Sequence, residues 1–149
     1  MVILKANKAE GSFLGRGTHV WLEVTDAEGN KTTFSGVKNG RMLDVIRDYK
    51  RDYDRDAARG LLEISPPDHL TEDEWSTAVL SAAEEVLDEM HGNYAFNGIF
   101  PWGKTSSGIP RSNCCCVAQN IIKRAGGEIP DDKIKGVLPG LGRGWRDYL

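Results

Sequence analysis

The sequence predicts an α+β fold, a small antiparallel sheet packed against a helix that opens on a cysteine. Three observations predict it. Thr18–Thr25 alternates apolar and polar residues, as a strand does. Residues 72–91 repeat apolar side chains at helical spacing. Residues 114–125 form a further helical stretch, stopped by Gly126-Gly127. The chain has 149 residues, which suits a single domain spanning 1–149.

The elements follow in order. Met1 to Ala6 is apolar and β-prone, and Gly11 to Gly17 reads as a turn. In the next strand Val20, Leu22 and Val24 face one way, and His19, Trp21 and Glu23 the other. Asp26-Ala27-Glu28-Gly29-Asn30 has hairpin-loop chemistry, and Lys31 to Val37 is the returning strand. Residues 41–59 read as a helix with a narrow stripe of Val45, Ile46, Tyr49 and Tyr53. Asp44, Asp48, Asp52 and Asp56 recur at intervals of four, as do Arg47, Arg51, Arg55 and Arg59. Because these charges cancel, they describe a solvated helix face rather than a nucleic-acid-binding one. Leu61 to Ser65 is another short strand, ended by Pro66-Pro67.

The clearest helix is Glu72 to His91. Thr71 and Glu74 make a capping box, and Leu70 and Trp75 occupy the staple positions. Trp75, Val79, Ala82, Ala83, Val86, Leu87 and Met90 form a wide apolar face, so Trp75 belongs to packing, and Gly92 ends the helix. Tyr94, Phe96, Phe100 and Trp102 lie in an irregular stretch expected to wall a site. Gly136, Gly140, Gly142 and Gly144 lack the preceding strand and following helix that a phosphate cradle needs.

Composition narrows the function. About 40% of residues are apolar and 28% charged, with a formal charge of −3, so no global attraction to nucleic acid or anionic membrane is expected. No apolar run approaches the roughly 18 residues of a membrane span. The start, MVILKANKAEG, has four apolar residues in a row and then charges, unlike a secretion leader. Synthesis in the cytoplasm is expected, with any action elsewhere requiring a dedicated secretion system.

Cys114, Cys115 and Cys116 are the chain's three cysteines. Adjacent cysteines close no useful disulfide loop. Their spacing against His19, His69 and His91 does not suit structural zinc, so neither metal nor cofactor is expected. A reactive thiol remains. Ser112 or Asn113 can cap the helix, which places Cys114 in its first turn, where free amides and the helix dipole favour a thiolate. Cys114 shares a helix face with Val117, Ala118 and Ile121, the face expected to pack on the sheet near His19. Cys115 and Cys116 read as small packing residues. His69 and His91 read as surface residues. For a third member orienting the histidine, the hairpin strand offers Thr33 and Ser35. Glu23 shares the face of His19 but lies two pairs along, out of reach.

His19-Val20-Trp21 before an Asp-Ala-Glu-Gly hairpin, then Tyr94, Ser112-Asn113-Cys114 and the helix through Ala125-Gly126-Gly127, resembles the circularly permuted papain-like enzymes. These include permuted NlpC-type cell-wall amidases and lecithin retinol acyltransferase-like proteins. The likeness spans roughly residues 18 to 140 in short motifs. The chain departs from the family pattern in having three cysteines where the family has one, and in lacking a plain second histidine or acid on the strand after His19. The resemblance implies a permuted papain-like sheet packed against the helix bearing the nucleophile cysteine, with Cys114 as nucleophile and His19 as base. It implies a thiol hydrolase cleaving an amide bond, in a bacterial setting a peptidoglycan amidase or endopeptidase or a delivered antibacterial effector. Its partners would be a peptide or peptidoglycan substrate and an immunity or inhibitor protein. Two alternatives stand beside this reading. One is a lipid acyltransferase or deacylase with the same dyad, though no apolar anchor is visible. The other is a non-catalytic binding module whose cysteines only pack.

Overall fold

The structure, a computed structural model, describes residues 1–8, 18–53, 60–90, 92–94, 111–112 and 114–129. Alternating apolar residues near the start of the chain make β1 (Val2–Lys8) and β2 (Thr18–Thr25). Gly29 closes the hairpin from β2 to β3 (Lys31–Asn39) at a φ of 85°. Asp26 reinforces this turn by accepting bonds from the Asn30 backbone and side chain. The chain continues through β4 (Met42–Arg47), a single-turn α1 (Lys50–Tyr53) and β5 (Gly60–Glu63). Then come α2 (Glu72–Glu89), β6 (Gly92–Tyr94), β7 (Arg111–Ser112) and α3 (Cys114–Arg124). The sheet order is β5-β1-β2-β3-β4-β6-β7. Every pairing is antiparallel except that of β6 with β7.

The architecture is therefore α+β, an antiparallel sheet with two longer helices. The register puts Val2, Leu4, Ala6, Val20, Leu22, Val24, Phe34 and Leu43 on one face. That face forms the core with α2 and α3. The capping box of α2 is present in full, with the Glu74 amide donating to Thr71 Oγ1 and the Thr71 amide to Glu74 Oε2. Trp75 is fully buried and donates its indole N–H to the Ile64 carbonyl at 3.0 Å, the packing role its helix position predicts. Gly127 lies against this ring, and a Cβ there would come within 2.5 Å of it. No helix among the described residues is long and apolar enough to cross a membrane.

The helix expected over 41–59 is a correction. Residues 42–47 form β4, paired along its length with β3, and only Lys50–Tyr53 is helical. A spacing of four lies near the helical period and is also twice the strand period, so the Asp and Arg series fits both. Leu43, Val45 and Ile46 favour the pleated surface that the long β3 provides. Tertiary pairing decides between the two. Residues 54–59 lie outside the described residues. So do the expected turn over 11–17, His91, the aromatic stretch beyond Tyr94, Asn113 and the glycine-rich tail.

Candidate active site

His19 stands in the first half of β2, on the sheet face opposite the core. It stacks on Trp21, two residues along the same face, with ring centroids 5.6 Å apart and planes inclined by 22°. Only 12% of its side-chain surface is exposed. Beyond Trp21, β2 and β3 part company. Their ladder ends at the Trp21–Ser35 pair, while β2 stays paired with β1 to Thr18 and β3 with β4 to Asn39. The start of α3 sits at this divergence.

Gly36 makes that position accessible. A Cβ at Gly36 would lie 2.7 Å from Val117 Cγ2, 2.9 Å from Cys114 Cα and 3.2 Å from Cys114 N. Glycine here is a requirement of close backbone approach rather than of a turn. With α3 seated on β3, the Cys114 sulfur accepts a hydrogen bond from the Val20 amide, just past the end of the β2–β3 ladder. It also meets the ring of the neighbouring residue, His19. This is how a cysteine on the core side and a histidine on the far face touch.

The other side of the imidazole is held by Asp52. Asp52 Oδ1 lies 3.1 Å from His19 Nε2, and the Asp52 side chain is fully buried. Ser35 donates its hydroxyl to Asp52 Oδ2, and Ser35 Oγ lies 3.4 Å from His19 Nε2. With Nε2 directed at Asp52, Nδ1 is the ring nitrogen left for the thiol. The order across the site is Cys114, His19, Asp52, with Ser35 bracing the carboxylate.

This arrangement favours charge separation. Burial opposes the imidazolium, but the bonds to Asp52 and then Cys114 outweigh it and raise the His19 pKa from 6.5 to about 9. The Cys114 thiol is driven well below its ordinary value. The largest cause is a hydrogen bond from Cys115. Burial opposes it, and the bond and charge of His19 and the Val20 amide add to it. Both shifts favour the thiolate–imidazolium form of the pair.

The sequence expectations fare unequally. Cys114 and His19 are brought together. Ser35 reaches the site through Asp52, whereas Thr33 bonds Asp48 through its backbone and its hydroxyl has no hydrogen-bond partner among the described residues. Glu23 is held away by Lys5 at 2.5 Å and Lys31 at 3.2 Å. His69 is exposed. Cys115 and Cys116 are buried, but Cys115 also touches the Cys114 sulfur, a contact that its reading as a packing residue omits. Asp52 is the residue that sequence reasoning misses, since its spacing predicts a solvated helix face. It is one of four aspartates at equal spacing, and nothing local sets it apart. Among the described residues no cluster of His, Cys, Asp and Glu is arranged to hold a metal ion. Comparison with protein-family models, curated proteins and solved structures finds no match for the chain.

Proposed function

We propose that this chain is a cysteine hydrolase of the permuted papain-like kind that cleaves amide bonds. The observation that carries the reading is the relay Cys114–His19–Asp52, in which a buried thiol bonded to a backbone amide meets an imidazole fixed by a buried carboxylate. Such a thiolate is a competent nucleophile without a further base.

In this reading the Cys114 thiolate attacks the carbonyl carbon and the carbonyl electron pair moves to oxygen. Amides at the start of α3 receive that oxyanion. The His19 imidazolium gives its proton to the amine as the C–N bond breaks, leaving a thioester. Neutral His19 then takes a proton from water, whose oxygen attacks the thioester carbonyl. The C–S bond breaks, the acid product leaves, and thiolate and imidazolium are restored. Asp52 keeps the ring oriented in both halves and stabilises its charged form.

Bacterial wall peptides are the substrate class that the resemblance implies, and a delivered effector with an immunity partner is the matching biological setting. The test is incubation of the purified chain with peptidoglycan sacculi, scored by newly released amino groups and by mass spectrometry of the fragments. Amide cleavage by the wild type and none by Cys114→Ala is expected. Intact sacculi and peptide substrates, together with iodoacetamide labelling of Cys114 no faster than that of a free thiol, would overturn the reading.

A further inference from the structure

Asp52 can serve His19 only if the chain turns sharply after β4. Residues 42–47 run along β3, yet five residues past Arg47 the Asp52 carboxylate lies against the opposite face of β2 and β3. The turn is made at Asp48, whose φ is 52°, the only non-glycine residue with positive φ among those described. Aspartate and asparagine enter this left-handed region more readily than other residues with a Cβ.

The turn is fastened at two points to one residue. The Asp48 amide donates to the Thr33 carbonyl at 2.8 Å, and the Thr33 amide donates to Asp48 Oδ1 at 3.0 Å. Thr33 stands two residues from Ser35 on β3, on the same strand face, and Ser35 donates to Asp52 Oδ2. The Asp52 amide then closes the single turn by donating to the Tyr49 carbonyl at 2.8 Å. The start of the turn and its end are thus anchored to the same strand.

We propose that Asp48 is a positioning residue of the site, its left-handed backbone and its side-chain bond to the Thr33 amide together setting Asp52 against His19. The proposal deepens the hydrolase reading and rests on it for its kinetic consequence alone. A thiol hydrolase needs its imidazole in one orientation, and a four-residue helix has too few internal bonds to fix a carboxylate by itself. The clamp supplies the missing rigidity.

The experiment measures the titration of His19 by NMR in the wild type, Asp48→Ala, Asp48→Gly and Asp48→Asn, with urea midpoints recorded alongside. Among the described residues the groups facing His19 are Asp52 from α1, Ser35 from β3, Cys114 from α3 and Trp21 on its own strand, and all remain in every variant. Asp48→Ala loses the left-handed preference and the acceptor together, so the His19 pKa should fall by about one unit, a tenfold change in proton affinity. Asp48→Gly keeps the backbone and loses the acceptor, and a smaller fall is expected. Asp48→Asn keeps both, and the titration should match the wild type. If Asp48→Ala does not fold, Asp48→Gly decides alone, and an unshifted His19 in it overturns the proposal. Loss of stability in Asp48→Ala with His19 unmoved, or an equal shift in Asp48→Asn, would also overturn it. A shifted His19 in a chain that cleaves no amide would leave the clamp standing and remove the hydrolase reading.

Discussion

Asp52 Oδ1 lies 3.1 Å from His19 Nε2 although the two residues are 33 positions apart in the chain. The contact joins a one-turn helix after β4 to the first half of β2, and it turns a lone strand histidine into the centre of a relay. Four predictions test what this relationship and its neighbours do.

Asp52→Asn keeps the shape of the side chain and removes its charge. The His19 pKa should drop toward its ordinary 6.5, because the bond to Asp52 is the largest influence raising it. Turnover should fall by about ten- to a hundredfold or more as the ring loses its fixed orientation. NMR titration and steady-state kinetics measure the two effects. A wild-type titration in this variant would show that Asp52 is a bystander.

Cys114→Ala should abolish turnover while leaving the circular dichroism spectrum unchanged, since alanine occupies less space than the thiol it replaces at the start of α3. Cys115→Ala should move the onset of Cys114 labelling to higher pH, because the Cys115 hydrogen bond favours the thiolate most. Cys115→Ser, which keeps a donor, should restore it, and Cys116→Ala should leave it in place. Mass spectrometry after brief iodoacetamide exposure across pH separates these outcomes. Identical labelling in all three variants would remove Cys115 from the site.

Gly36→Ala adds a methyl group 2.9 Å from Cys114 Cα and 2.7 Å from Val117 Cγ2. The backbone contact cannot relax by a side-chain rotation, so α3 must shift. A destabilisation of about 1–3 kcal/mol is expected from overpacking of this kind. The larger effect should be on reactivity, since the shift separates the thiol from the Val20 amide and His19. Urea unfolding and thiol-labelling rates test both. Wild-type labelling in a stable Gly36→Ala chain would contradict the close-approach argument.

The pH dependence follows from the direction of each shift. His19 is raised from 6.5 to about 9, so its contribution to stability is complete below pH 6.5 and is lost as pH rises through about 9. Cys114 is lowered, so its contribution is present above the ordinary thiol value of 9.0 and is lost as pH falls through its folded value. Above the folded value of Cys114 and below about 9 the two slopes oppose each other, so stability from this pair should vary less with pH than the His19 contribution alone. Cys114→Ala removes one slope. Its urea midpoint should decline relative to wild type as pH rises toward 9, because Asp52 still raises His19 while the opposing thiol is gone. The rate of the wild type should fall as pH passes about 9, where the imidazolium loses its proton. A rate still rising beyond that point would argue against an imidazolium as the proton donor.

Much of the site was legible in the chain itself. A cysteine at the start of an amphipathic helix and a histidine in an alternating strand are local patterns, and local patterns report local structure. Ser35 was within reach by its hairpin register, since it pairs with Trp21 next to the histidine face. Asp52 was not legible, because its series of charges at intervals of four fits a solvated helix as well as a strand followed by a turn. Nor was the need for glycine at position 36, which depends on what packs against it.

The sequence by itself determined the hairpin, the capped start of the helix at Glu72, the helix beginning at Cys114 and the alternation that gives β2 a core face and a histidine face. These depend on side-chain periodicity and capping chemistry, which act over a few residues. Only the tertiary structure decided that residues 42–47 pair with β3, that the β2–β3 ladder ends at Trp21 and Ser35, and that Asp48 turns the chain back over the sheet. The physical reason is one of range. A strand's partner, the separation of two neighbouring strands and the burial of a carboxylate are settled by contacts between segments far apart in sequence. A buried Asp52 becomes favourable only once His19 and Ser35 are already there to receive it.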